Sequence, residues 1–132
     1  MKVLALDYGS ARTGVAVSDP TGMLARPLEV ISRADTAAGL ARVRALVAEH
    51  EAELVVVGLP LTLRGEHGAQ ARETERFVAA LRGVLGVPVE TFDERFTTAL
   101  AARDPSSSGA DEDARAAAHL LAGYLERCGE RA

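Results

Sequence analysis

Acidic residues occur at the ends of predicted strands and at the start of a predicted helix. Asp7 follows a short buried strand, Asp93 and Glu94 follow a later strand, and positions 111–113 are all acidic. Because sites in open α/β sheets gather at the carboxyl ends of strands, these three distant segments can converge. Clustered carboxylates stay ionised when a cation compensates their repulsion, and Mg²⁺ and Mn²⁺ prefer oxygen ligands. Two such ions about 4 Å apart can activate a water molecule for phosphodiester cleavage.

Each of these acids also has an ordinary structural explanation. Asp7 can be a turn residue ahead of Gly9, since aspartate is common in turns. Asp93 and Glu94 can form a solvated turn pair. The acids at 111–113 can simply stabilise the start of a helix through its dipole. Spacing alone therefore leaves the metal site and the structural explanation both open.

The elements that would position these acids are those of an α/β fold. Hydrophobic patterning predicts the strands Val3–Leu6, Thr13–Ser18, Met23–Ser32, Leu54–Val57 and Val87–Phe92. Short turns join the first three strands, which predicts antiparallel hairpins, and Pro27 suits an outer edge. The apolar stretch Leu54–Val57 lacks alternation, as is typical of a strand covered on both faces. We therefore expect a five-stranded mixed sheet, its first three strands antiparallel, with helices on both faces.

Helices are predicted between and after the later strands. Their ranges are Asp35 or Thr36 to Glu51, Ala69 to Leu85, Thr97 or Thr98 to Arg103, and Asp111 to Arg127. The second helix should bury a stripe made of Phe77, Val78, Leu81, Val84 and Leu85. No internal repeat is present, so the chain is expected to be one domain, residues 1–132.

Composition limits the classes of protein that the chain can represent. Hydrophobic residues make up 48% of the 132 residues, as in a globular protein. The single cysteine, Cys128, cannot form an internal disulfide, which favours a reducing compartment. The first apolar stretch ends at Asp7, too short for a signal sequence, and no apolar run is long enough to cross a membrane. A cytoplasmic location is expected.

The net charge of −4 by itself argues against binding nucleic acid, because phosphate contacts require cations. Acids concentrated in a metal site would weaken that objection, so the placement of the arginines matters more than the total. The arginines in or after the motif loops are the candidates for phosphate contacts: Arg12, Arg64, Arg72, Arg76 and Arg95. Each of them can equally be solvated surface charge, and Arg95 can instead hold the neighbouring Glu94 carboxylate.

Gly58 and Pro60 end the most apolar strand. Gly58 allows close backbone approach, and Pro60 stiffens the exit from the strand. This segment can form the floor of a substrate groove, or it can be no more than a rigid connection between a strand and a loop.

Four segments of the chain together resemble the YqgF/RuvX family. They are Leu4–Ser18, Val57–Leu61 with Gly65, Phe92–Thr98, and Asp113 with Ala116–Ala118 and Tyr124. The resemblance extends over nearly the whole chain in the family's order. It implies an RNase H-like fold and a nuclease acting on structured nucleic acid. Members of the family are linked to four-way DNA (Holliday) junctions and to maturation of the 16S rRNA 5′ end.

The resemblance also implies which residues form the site. Asp7, Glu94 and Asp113 would bind Mg²⁺ or Mn²⁺ and would be catalytic. Among the acids at 111–113, Asp113 is chosen because it shares a helix face with Ala116, Ala117, Leu120 and Tyr124. The chain departs from the family's pattern just before this helix, where residues 105–110 are neutral and not lysine-rich.

Two other functions remain compatible with the residues. The pattern Asp7, Gly9 and Gly14 after a strand also resembles the first phosphate loop of actin-like and hexokinase-like ATPases. A non-catalytic RNA- or ribosome-associated protein could keep the same fold. A junction resolvase is expected to be a homodimer because a four-way junction has near two-fold symmetry, whereas a processing nuclease needs one site.

Overall fold

The structure is a computed structural model that describes residues 1–60, 68–94 and 109–131. Its strands are β1 (Val3–Asp7), β2 (Arg12–Ser18), β3 (Ala25–Ser32), β4 (Leu54–Leu59) and β5 (Val89–Asp93). Its helices are α1 (Ala37–Glu49), α2 (Ala69–Val84) and α3 (Gly109–Arg131). The helix predicted at 97–103 lies outside the described residues. No helix in the described part of the chain is long and apolar enough to span a membrane.

The five strands form one mixed sheet in the order β3-β2-β1-β4-β5. Strand β2 is antiparallel to both of its neighbours, β1 and β3, while β4 is parallel to β1 and β5 is parallel to β4. The predicted sheet is confirmed, including the interior position of β4 and the edge position of β3. Strand β1 is central, so its last residue, Asp7, lies between two hydrogen-bonded neighbours.

Helices cover both faces of the sheet, as the unbroken apolar pattern of β4 predicts. On one face, Val43 of α1 and Phe77 of α2 pack with Leu4 and Leu6 of β1. On the other face, α3 packs its apolar residues against the alternate residues of the same strands. The buried residues on that side are Val3, Ala5, Ala16, Leu54, Val56, Ala117, Leu120, Leu121 and Tyr124.

Local hydrogen bonds determine where the elements begin. Strand β3 starts two residues later than predicted because Asp19 Oδ1 accepts hydrogen bonds from the backbone N–H groups of Met23 and Leu24, at 2.9 and 3.1 Å. These bonds hold both residues in the turn. Thr36 is the N-cap of α1, with its Oγ1 accepting from the Gly39 N–H at 3.2 Å.

The predicted buried stripe of α2 is wrong at one position. Phe77, Val78 and Leu81 are buried, but Val84 is 38% exposed. The helix ends at Val84, and Leu85, in an extended conformation, packs against the core instead. Val84 lines an apolar groove of about 500 Å³ along α1.

Helix α2 is tied to the central strand through Tyr8, the residue after Asp7. The Tyr8 ring stacks on Phe77 with 4.5 Å between ring centroids, and Tyr8 Oη donates a hydrogen bond to Glu73 Oε1 at 3.1 Å. Burial, the hydrogen bond to Glu73 and the nearby Asp35 carboxylate together raise the pKa of Tyr8 to about 12. The phenol is therefore held in its neutral form well above its usual range.

Tyr8→Phe should make stability less sensitive to alkaline pH. Since the pKa of Tyr8 is higher in the folded state, its contribution is fully present below pH 10 and is lost as pH rises toward 12. The difference in unfolding free energy between the wild type and Tyr8→Phe should shrink over this interval, by up to about 2 kcal/mol. Urea unfolding of both proteins across the interval measures it. A difference that stays constant with pH would contradict the assignment.

Candidate functional site

Asp7 lies at the carboxyl end of the central strand and faces α3. Val3 and Ala5 of the same strand pack against α3. Because side chains alternate along a strand, Asp7, two residues after Ala5, has the same orientation. It is half-buried. Both neighbouring strands are hydrogen-bonded to β1, so the position of this carboxylate is determined by the sheet.

A glycine stands beside Asp7 on each neighbouring strand. Gly14 of β2 pairs directly with Asp7. On the other side, Leu6 pairs with Val57 in the parallel ladder, which places Gly58 of β4 next to Asp7. The face that looks toward α3 therefore has no side chain on either side of Asp7.

The backbone of α3 takes the space above Gly14. A Cβ atom on Gly14 would overlap the main-chain carbonyl of Asp113 and would lie 3.1 Å from the Ala114 nitrogen. The helix thus rests directly on β2 at Asp113. This contact brings Asp113 beside the strand position that pairs with Asp7, and the buried Ala117 continues the contact one turn later.

The side chain of Glu94 takes the space above Gly58. A Cβ atom on Gly58 would lie 2.7 Å from Glu94 Oε1 and 2.9 Å from Glu94 Cγ. Glu94 comes directly after β5, which pairs with β4 on the side away from β1. Its side chain therefore extends from the edge of the sheet back over β4.

The Asp113 carboxylate is paired with Arg12. Arg12 Nε lies 3.0 Å from Asp113 Oδ2, and the side chains are 53% and 23% exposed, respectively. Oδ2 is buried and its contact with Arg12 lacks hydrogen-bond geometry. Arg12, predicted as a phosphate contact, thus compensates the charge of one of the three acids.

The three predicted acids share one face and one end of the sheet, and their carboxylate oxygens suit a hard divalent cation. The buried Asp113 Oδ2, which accepts no hydrogen bond, is an atom that such a cation would satisfy. As they are placed, however, no three His, Cys, Asp or Glu side chains of residues 1–60, 68–94 and 109–131 form a group that could hold a metal ion.

The other predicted phosphate contacts lie apart from α3. Arg72 and Arg76 are exposed on the first two turns of α2, on the opposite face of the sheet. Glu73, which lies between them on α2, accepts a hydrogen bond from Tyr8, the residue after Asp7, so this part of α2 lies near the end of the sheet where Asp7 lies. Arg64 and Arg95 lie outside the described residues.

Sequence reasoning did not include Arg33 among the candidate cations. This exposed residue directly follows β3 and has a left-handed backbone with φ of 47°. Its N–H donates to the Ala11 carbonyl at 3.0 Å, and its carbonyl accepts from Thr36 Oγ1 at 2.8 Å. Since β3 ends beside the start of β2, Arg33 lies at the same end of the sheet as Arg12. Arg33 lies outside all of the motif segments, so nothing in the sequence pointed to it as a candidate.

Sequence comparison agrees with this architecture. The family model described as RuvX, Holliday junction resolvase, matches residues 1–127. A protein of Chloroflexus aggregans, described as a candidate pre-16S rRNA nuclease, is 44% identical over 131 residues, or 94% of this chain and 92% of that protein. A protein of Moorella thermoacetica with the same description is 39% identical and covers 98% of both chains.

Two solved structures have a similar fold. RuvC of T. thermophilus, in complex with a Holliday junction substrate, has a TM-score of 0.64 at 22% identity and covers 98% of this chain and 96% of its own. The Fowlpox virus resolvase, solved with substrate Holliday junction DNA, has a TM-score of 0.60 at 12% identity and covers 97% and 99%. The expected RNase H-like fold is confirmed.

Gly14→Ala should destabilise the protein, because the added methyl group would overlap the Asp113 carbonyl and force α3 away from β2. Overpacking of this kind costs about 1–3 kcal/mol. Gly83→Ala on α2 is the matched control, since no atom lies within 4 Å of a Cβ placed there. Urea unfolding measures the stability of each variant against the wild type, and a Gly14→Ala variant as stable as the wild type would show that α3 does not rest on β2 at this point.

Proposed function

This chain belongs to the RuvX family of Holliday junction resolvases, and we propose that it cleaves phosphodiester bonds in structured nucleic acid at the end of β1. The observation that carries the proposal is the arrangement around Asp7. This central carboxylate is flanked by two glycines, and the spaces above them are taken by Asp113 and by Glu94. Three acids from distant parts of the chain are thus directed to one end of the sheet.

We propose that Asp7, Glu94 and Asp113 hold one or two Mg²⁺ or Mn²⁺ ions. The donors are all carboxylate oxygens, which these cations prefer, and the buried Asp113 Oδ2 accepts no hydrogen bond, so it has a lone pair available for coordination. When bound, such ions activate a water molecule and stabilise the leaving oxygen in phosphodiester cleavage.

The protein's own residues provide the positions and the charge balance. Strand β1 holds Asp7 between two paired strands, so this carboxylate has little freedom to move. Arg12 is half-exposed and compensates Asp113. Because a guanidinium also binds phosphate oxygens well, we propose that Arg12 turns from Asp113 to a backbone phosphate of the substrate.

The substrate is either the 5′ end of a 16S rRNA precursor or a four-way DNA junction. Several curated relatives are described as candidate pre-16S rRNA nucleases, whereas the family description names junction resolution. Resolution of a near-symmetric junction would use two copies of the chain, and rRNA processing needs one. The family match does not favour the ATPase alternative.

A cleavage panel tests the proposal. Four-way junction, duplex DNA, single-stranded DNA and 16S rRNA precursor should each be incubated with Mg²⁺, Mn²⁺ or a chelator. We expect cleavage of one of the two structured substrates only when metal is present. Cleavage that continues in chelator would rule out the metal-dependent mechanism, and metal-independent binding without cleavage would favour a non-catalytic protein.

Asp7→Asn should lower the cleavage rate by about 100-fold or more, equivalent to roughly 3 kcal/mol in the barrier. The change removes the central charge at nearly constant shape. The fold should remain intact, and thermal stability without metal should rise because carboxylate repulsion decreases. Cleavage assays in Mn²⁺ and thermal unfolding in chelator measure the two effects.

Asp111→Asn is the matched control for that variant. Residues two positions apart on a helix do not face each other, so Asp111 should not share the site of Asp113, and its substitution should leave cleavage nearly unchanged. Full activity in Asp7→Asn would remove the mechanism. Loss of activity only in Asp111→Asn would show that the wrong acid of α3 was assigned.

The double variant Arg72→Ala with Arg76→Ala should weaken nucleic-acid binding and reduce its dependence on salt. Each phosphate contact releases counterions, so the slope of log affinity against log salt should flatten by about one to two units. A control that removes the same charge combines Arg26→Ala and Arg44→Ala. Arg26 is the second residue of β3, at the other end of the sheet, and both of these arginines are exposed. Equal slopes in the two double variants would make Arg72 and Arg76 ordinary surface charges.

A further inference from the structure

Glu94 has to reach the site from the edge of the sheet. It follows β5, and β4 separates β5 from the central strand β1. Neighbouring strands lie about 4.8 Å apart, so β5 is roughly 10 Å from β1. The Glu94 carboxylate approaches Asp7 only if its side chain crosses over β4.

The side chain makes this crossing at Gly58. A Cβ atom on Gly58 would lie 2.7 Å from Glu94 Oε1 and 2.9 Å from Glu94 Cγ, well inside the optimal separation of about 3.5–4.0 Å between non-bonded carbons. The same Cβ would lie 3.0 Å from Leu120 Cδ2 of α3. Leu120 is buried in the core on this face, so it leaves little room for Glu94 to rise away from the sheet.

Backbone conformation does not account for a glycine at this position. Gly58 lies inside β4 and pairs with Phe92 of β5. Among the described glycines, only Gly22 has a positive φ, so the backbone of Gly58 is one that any residue adopts. Glycine is therefore required at position 58 because a side chain there would occupy space on the α3 face that Glu94 and Leu120 already fill.

We propose that Gly58 is a positioning residue that admits the Glu94 carboxylate to the side of Asp7; the metal-binding role of Glu94 rests on the function proposed above. Any side chain at position 58 would displace Glu94 from its place over β4. The chain would still contain all three acids, but the Glu94 carboxylate would no longer belong to the arrangement around Asp7.

The first measurement needs no metal. Crystal structures of the wild type and Gly58→Ala, both grown in chelator, should show the Glu94 carboxylate displaced from above residue 58 in the variant. An unchanged Glu94 would overturn the inference. If Gly58→Ala does not fold, the double variant Gly58→Ala with Glu94→Ala should fold, because the two nearest overlapping atoms, Oε1 and Cγ of Glu94, are gone and the 3.0 Å contact with Leu120 Cδ2 needs a shift of only a few tenths of an ångström. Failure of the double variant as well would also overturn the inference.

The second measurement is calorimetric titration with Mn²⁺ of the wild type, Gly58→Ala, Glu94→Ala and the double variant. Gly58→Ala should weaken Mn²⁺ binding by roughly tenfold or more, yet it should have no further effect once Glu94 is alanine. Gly83→Ala, made at an open position, should bind Mn²⁺ as the wild type does.

The outcomes separate this inference from the proposed function. Wild-type affinity in Gly58→Ala, or an equal loss with and without Glu94, would overturn the positioning role. A wild type that binds no Mn²⁺ would instead remove the proposed metal site. In that case the metal-free structures would still decide whether Gly58 positions Glu94.

Discussion

In the proposed site, Asp7 can have two acidic neighbours because the strands on both sides of it carry glycine at the adjacent position. Gly14 lets the backbone of α3 rest on β2 at Asp113, and Gly58 lets the Glu94 side chain cross β4. A side chain at either position would hold one acid away from the centre. The arrangement therefore depends on the absence of a side chain at Gly14 and at Gly58. The backbone of α3 takes the space above Gly14, and the Glu94 side chain, which follows β5, takes the space above Gly58.

The two glycines can act in this way only because the sheet holds Asp7 in one orientation, with its side chain toward α3. Leu4 and Leu6 are buried on the face covered by α1 and α2, while Val3 and Ala5 are buried against α3. A shift of β1 by one residue would exchange the two faces and turn Asp7 away from α3. Because both faces of the central strand are apolar and covered, such a shift would disturb the whole core. The core thus determines the direction of the central carboxylate.

Much of this frame could be predicted from the sequence because it follows from local patterns. Short turns indicated the antiparallel strands, the unbroken apolar run placed β4 inside the sheet, and helical spacing selected Asp113 as the acid on the face that packs on the sheet. The pairing of Arg12 with Asp113 and the exposure of Val84 were not predicted. The ion pair and the exposure of Val84 both depend on contacts between elements that are distant in the sequence. Hydrophobic periodicity describes each element by itself and does not predict such contacts. The sequence indicated close backbone approach at Gly58, whereas the structure shows that the Glu94 side chain takes the space there.

The distribution of charge explains how an acidic chain can present a surface to phosphates. The acids lie on the α3 face of the sheet, where Arg12 compensates Asp113. Arg72 and Arg76 lie on the other face, on α2, whose start is anchored to the residue after Asp7 by the hydrogen bond from Tyr8 to Glu73. Under the proposed function, a phosphate backbone that approaches along the carboxyl end of the sheet would meet arginines from both faces, and the net charge of −4 would not oppose binding at that edge.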